Sequence, residues 1–325
     1  MHIIDRSIVE QILTPQLCLK LSASAFSLVS RGKVKQTLRS VIPSDDGRLM
    51  GTMPAYITEG SFKGFGLKTV KVDFNYKNKF TSHEGYIFLY DSPNEGEMAL
   101  VDAASVTELR TAAASALATS ILTPKNVNQL AILGTGIQAK MHVKMMQEIR
   151  PIKHIHIWGR NKKNVETFAS WCHTQCNLPF TIAATPAEAV SKADIICTVT
   201  ASQHALLQAE DLPEHCHINA VGSSALGFQE LAPNIYSIVE LYVDSKEAVW
   251  NSSSCLIQAK QNGLIPPDNL GIEIGELLTF SLKNEFKIPK RTLFKSVGLA
   301  VQDLVFAREI INQIHLPTHT NSIKV

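Results

Sequence analysis

Two groups of residues in this chain have types and spacing suited to chemistry. The first is Gly134-Thr135-Gly136-Ile137-Gln138-Ala139, which follows the apolar run Leu130–Leu133 and opens at once into a helical pattern of Ala139, Val143, Met146 and Ile149. A strand, a tight glycine turn and a helix in that order make a dinucleotide cradle. Gly134 permits the turn, Gly136 lets the backbone approach a pyrophosphate, and the helix N-terminus offers unpaired N–H groups to phosphate oxygens. The second group is three cations: Arg39 and Lys68 inside strand patterns, and Arg110 in an alanine-rich helical stretch. A cation buried alone is costly, so each either meets a protein carboxylate or waits for an anionic ligand. The planar fork of Arg110 suits a carboxylate held by two hydrogen bonds. Glu108 offers it no pairing, because residues two apart on a helix do not face each other.

A dinucleotide fold selects its cofactor about 20 residues past the glycines, where an acid binds the ribose hydroxyls of NAD. Here the strand His154–Trp158 ends in Gly159-Arg160-Asn161-Lys162-Lys163, which contains no carboxylate. Arg160, Asn161 and Lys162 stand where a 2′-phosphate would lie, so NADP(H) is the expected cofactor and NAD(H) the alternative. Two further strand ends, Thr198-Val199-Thr200 and Asn219-Ala220-Val221-Gly222, carry small polar residues that serve either the nicotinamide side or plain turns.

Holding these residues takes two kinds of segment. Residues 38–102 read as about five strands, Leu38–Ile42, Leu49–Met53, Gly66–Val72, Tyr86–Tyr90 and Met98–Val101, broken by Asp-Gly, Glu-Gly and Pro-Asn punctuation. Residues 1–30, a short strand or turn and then a helix starting at Thr14-Pro15, precede them, and a long helix over Asp102–Leu122 follows. From residue 127 to about 295 apolar strands alternate with helical patterns, the strands being Leu130–Leu133, His154–Trp158, Phe180–Ala184, Asp194–Thr200, His217–Val221 and Leu241–Asp244. That alternation specifies an α/β fold, a doubly wound parallel sheet, whose ligands bind at the strands' carboxyl ends. An amphipathic helix, Gly298–Ile314, closes the pattern, and the tail beyond Pro317 reads as unstructured.

Composition narrows the function classes. The 325 residues carry a net charge of +2 with cations dispersed, so no nucleic-acid footprint is expected. No apolar run reaches the roughly 18 residues of a membrane span, and the N-terminus lacks signal-peptide character. Several of the six cysteines lie in apolar runs, which suits reduced thiols and a cytoplasmic protein. Cys172-His173 with Cys176, and His215-Cys216-His217, lack the spacing of a ligand set, and no metal is expected.

Met53-Pro-Ala-Tyr56, GLKTV around Lys68, Thr107-Glu-Leu-Arg110, ILGTGIQA, WGRN, TVTAS, INAVGSS, YVDS and TLFKSVGLAVQD occur in one order along the chain. In these motifs the sequence resembles the ornithine cyclodeaminase/mu-crystallin family over nearly its whole length. The resemblance implies a substrate and dimerisation domain of residues 1–122 plus 299–325, a Rossmann domain over 123–298, and a homodimer. It implies that Arg39, Lys68 and Arg110 bind a substrate carboxylate, and it adds Ser296 to the cofactor residues. The cyclodeaminase branch carries an aspartate after INAVG as proton shuttle; this chain has Ser224, as the ketimine reductases do. A neutral hydroxyl does not replace that base without an activating neighbour. The expected activity is therefore NAD(P)H-dependent reduction of a small cyclic α-imino acid, with Lys68, Arg110 and Ser224 at the reacting centre. Amino-acid dehydrogenation, ornithine cyclodeamination and cofactor binding without turnover are the alternatives.

Overall fold

The computed structural model describes residues 1–73, 83–91, 98–279 and 287–314. Two compact units divide the chain: Met1–Arg110 with Leu299–Val325, and Thr111–Gly298. The expected unstructured tail beyond Pro317 lies outside the described residues.

The first unit contains, in order, β1 (His2–Ile4), α1 (Arg6–Ile12), α2 (Pro15–Ser30), β2 (Val34–Gln36), β3 (Ser40–Pro43), β4 (Leu49–Ile57), β5 (Gly64–Val72), β6 (His83–Leu89) and β7 (Ala99–Asp102). Its seven-stranded sheet has the order β1-β7-β6-β5-β4-β2, with β3 also paired to β4; only the β1–β7 pair is parallel. Five of these, β3 to β7, fall within residues 38–102, where the sequence reads as about five strands; β1 lies in the opening segment that reads as a short strand or turn, and β2 is three residues long, too short for a visible alternation. Arg39 precedes β3 rather than lying within it, since pairing with β4 starts at Ser40.

Strand alternation gives the sheet two unlike faces. Met53, Lys68, Ile87 and Val101 are buried on one side. On the other, Met50, Phe65 and Tyr86 are exposed, and the register Ile42↔Met50, Tyr56↔Phe65 and Thr69↔Tyr86 shows that these belong to one surface. The inner face is covered by α10 (Ala300–Ile314), reached from the far end of the chain and buried at Val301, Leu304, Val305, Phe306 and Ala307. Gly66 permits the close approach: a Cβ there would sit 2.7 Å from Leu304 Cγ. α2 packs beside α10, its start fixed by Thr14 Oγ1, which accepts from Leu17 N, and by Pro15 at its first turn.

α3 (Ala103–Leu122) leads from the first unit into the second, with Ala113, Ala114, Ala116 and Ala118 fully buried. Then come β8 (Gln129–Leu133), α4 (Ile137–Ile149), β9 (His154–Trp158), α5 (Lys162–Cys176), β10 (Phe180–Ile182), α6 (Pro186–Val190), β11 (Ile195–Thr198), β12 (Cys216–Ala220), β13 (Glu240–Val243), α7 (Lys246–Ser252), α8 (Ser254–Gln261), β14 (Ile272–Glu273), α9 (Ile274–Thr279) and β15 (Arg291–Lys295). The eight-stranded sheet is parallel throughout, in the order β10-β9-β8-β11-β12-β15-β13-β14. The chain runs β8-β9-β10 one way and then returns to β11 on the other side of β8. That reversal places a topological switch point at the carboxyl ends of β8 and β11, where open α/β sheets bind ligands. No single helix among the described residues is long and apolar enough to cross a membrane.

Candidate functional site

The turn from β8 to α4 fits a dinucleotide on its own geometry. Gly134 has φ +122°, and a Cβ there would stand 2.6 Å from Val199 O, so only glycine lets the turn pass beneath the end of β11. Gly136 is the N-cap of α4 and makes no side-chain cap, and a Cβ on it would meet nothing within 4 Å. The helix thus presents its first N–H groups beside open space, the arrangement an anion needs. His142 fastens the next turn, with Nδ1 2.8 Å from Gln138 O and Nε2 2.9 Å from Ser115 Oγ.

At the end of β9, Arg160, Asn161 and Lys162 are all exposed. Asn161 is also the N-cap of α5, its Oδ1 accepting from Asn164 N at 3.1 Å, which leaves its amide group for a ligand. The helix start thus uses Oδ1 alone of the Asn161 side chain.

The ends of β11 and β12 are tied together by a residue the sequence reading passed over. Glu230, fully buried, accepts four hydrogen bonds: Thr198 Oγ1 at 2.8 Å, Thr200 N at 2.6 Å, Thr200 Oγ1 at 2.8 Å and Ser223 N at 3.2 Å. Lys295, also fully buried, grips the same serine from the other side, donating to Ser223 O at 2.8 Å and Ser223 Oγ at 2.9 Å. Ser223 thus fixes the loop that carries the half-buried Ser224. Asp244 performs a similar task after β15, accepting from Ser296 Oγ at 2.9 Å, Val297 N at 2.7 Å and Gly298 N at 2.8 Å. Burial raises the Asp244 pKa above the usual carboxylate value even though these donors oppose it.

In the first unit, Lys68 and Arg110 meet on one carboxylate. Asp303 Oδ1 accepts from Lys68 Nζ at 2.9 Å and from Arg110 Nε at 3.1 Å, and all three residues are buried. Lys68 also donates to Thr107 Oγ1 at 2.6 Å, so one of its three ammonium protons remains. Burial pushes Lys68 down to about 8, Asp303 opposes this, and Arg110 and Arg39 act in the same direction as burial. Arg39 is half-buried and close enough for its charge to be felt at Lys68. Glu108, as expected, does not pair with Arg110: Arg6 takes it in two bonds of 2.8 and 2.9 Å.

Asp303 and Lys295 had a signal in the sequence. Each is a charge inside an apolar run, LAVQDLVFA and TLFKSV, the same anomaly that exposed Lys68. Glu230 had none, because QELAP carries no periodicity against which an acid stands out.

A model of the ornithine cyclodeaminase/mu-crystallin family matches residues 2–316. The chain is 34% identical over 294 residues to ketimine reductase mu-crystallin of Rattus norvegicus, covering 89% of this chain and 88% of that protein. Among solved structures, Δ1-pyrroline-2-carboxylate reductase of Thermococcus litoralis in complex with NADH and L-proline superposes with a TM-score of 0.89 at 28% identity, covering 97% of both chains. An archaeal alanine dehydrogenase dimer with bound NAD gives a TM-score of 0.85 at 26% identity, covering 97% of this chain and 96% of the other.

Proposed function

The chain belongs to the ornithine cyclodeaminase/mu-crystallin family, and from that premise we propose that it is an NAD(P)H-dependent reductase of a small α-imino acid, a cyclic ketimine such as pyrroline-2-carboxylate or piperideine-2-carboxylate. The observation that carries this reading is the buried pair Lys68 and Arg110, each spending only part of its donors on Asp303 and Thr107. Among the described residues Arg110 Nη1 and Nη2 make no hydrogen bond, so a bidentate fork stands ready for a carboxylate. The names of the rat and Thermococcus relatives, a ketimine reductase and a pyrroline-2-carboxylate reductase, support the same reading.

In this reading Arg39, Lys68 and Arg110 hold the substrate carboxylate and so fix the direction in which the imine carbon is presented. Gly134, Thr135, Gly136, Ile137 and Gln138 hold the pyrophosphate; Thr198, Val199, Thr200, Val221 and Ser296 bind the remainder of the cofactor. When bound, the nicotinamide supplies a hydride to the imine carbon. Ser224 brings no anion to the reacting centre, which suits an imine that solution has already protonated and does not suit a lyase. The three exposed residues Arg160, Asn161 and Lys162 favour NADPH over NADH. The exposed apolar face of the seven-stranded sheet, with Ile42, Met50, Phe65 and Tyr86, is the surface through which two copies form a homodimer. The six free cysteines suit a reducing cytoplasm.

A substrate panel with purified protein tests the activity. NADPH should be consumed with cyclic ketimines, and ornithine should yield little or no ammonia. Conversion of ornithine to proline and ammonia with catalytic NAD would replace the reductase by the lyase.

A further inference from the structure

Asp303 puts a full negative charge into a site that otherwise suits an anion. It reaches the two cations from α10, 235 residues along the chain from Lys68 and 193 from Arg110. Glu108 takes Arg6 along its fork in two bonds, a frequent geometry for such a pair. Asp303 instead takes Arg110 from the Nε side, and the same Oδ1 takes Lys68.

We propose, on the carboxylate-clamp reading above, that Asp303 is the positioning residue of the clamp: it turns Arg110 so that the Nη pair is presented to the substrate carboxylate, and it fixes Lys68 as a charged donor with one proton to spare. The charged groups acting on Lys68 come from three segments: Arg110 on α3, Asp303 on α10 and Arg39 before β3. Burial and both arginines act to strip its proton, and Asp303 alone among these acts to keep it. Asp303 can do so because Lys68 and Arg110 outweigh its burial and hold its own carboxyl below the usual range.

The test uses the holoenzyme with NADP⁺ and pyrrole-2-carboxylate, a planar carboxylate that cannot accept a hydride, titrated calorimetrically from about pH 6 to about pH 9. Wild-type affinity should fall above about pH 8, as Lys68 discharges. Lys68→Arg should abolish that alkaline limb, and Asp303→Asn should move it acidward by about one pH unit or more. Ketimine reduction by Asp303→Asn at a pH below its limb should lose roughly tenfold or more in kcat. A variant that melts earlier yet keeps its limb at the wild-type pH makes Asp303 purely structural and overturns the proposal. If Asp303→Asn does not fold, Asp303→Glu carries the test: the limb should stay in place while affinity falls roughly tenfold, and unchanged affinity overturns positioning. A wild type that binds no carboxylate at all removes the clamp itself, and this proposal with it.

Discussion

At the level of single residues, the cofactor preference is the most exposed to measurement. Arg160 lies in solvent at the end of β9, with no carboxylate beside it in WGRNKK. Arg160→Ala should raise the KM for NADPH far more than that for NADH, because a charge-assisted hydrogen bond to phosphate is worth about 1.5–3 kcal/mol. Equal effects on the two cofactors would remove Arg160 from the phosphate site. The individual site residues were legible in proportion to how badly they fit their surroundings. Lys68 broke an apolar alternation and Gly134-Thr-Gly136 interrupted a strand-to-helix pattern, so both announced themselves. Their carboxylate partner Asp303 also broke an apolar run, but that it is the acid which reaches Lys68 is decided by the crossing of α10 over β5, a tertiary fact with no local trace.

At the level of elements, the parallel sheet was legible because strands buried on both faces must be apolar runs. β8, β11 and β12 are buried almost end to end, and β9 falls on His154–Trp158 as the pattern indicates. β2 and the two-residue β14 were not, because their pairing is imposed by β4 and β13 and their own residues are only partly buried. Two histidines inside these elements should make the second unit acid-sensitive. Burial holds His142 on α4 down at about 4 and His217 on β12 down at about 3, against 6.5 unperturbed. Their neutral rings are satisfied in place, so the folded state refuses a proton that the unfolded chain accepts. Their contribution is intact above about pH 6.5 and is lost as pH falls toward those folded values, at about 1.4 kcal/mol per pH unit for each. Calorimetric melting between about pH 7 and about pH 5 should show a falling midpoint, and His142→Gln should flatten the fall. A midpoint as steep in the variant as in the wild type would mean that other groups take up the protons.

At the level of the whole molecule, the apolar outer face of the first unit is the surface assigned above to the proposed homodimer. Phe65 is 57% exposed and Tyr86 46%, on adjacent strands of one surface. Sedimentation at micromolar concentration should find a dimer, and replacing both residues by arginine should yield monomers that still bind NADPH. A monomeric wild type would leave that face without the role assigned to it. The first unit is also assembled from both ends of the chain, Met1–Arg110 and Leu299 onward, whereas the second is one continuous stretch. Synthesis from the N-terminus therefore inverts the order of completion. The sheet that bears Lys68 emerges first, yet it lacks its covering helix and its counter-ion until α10 leaves the ribosome. The middle stretch can close meanwhile around its own core. A chain released before α10 should keep the dinucleotide turn of Gly134–Gly136 while its Lys68 and Arg110 lack the carboxylate that positions them, so substrate affinity is the property such a fragment is expected to lose.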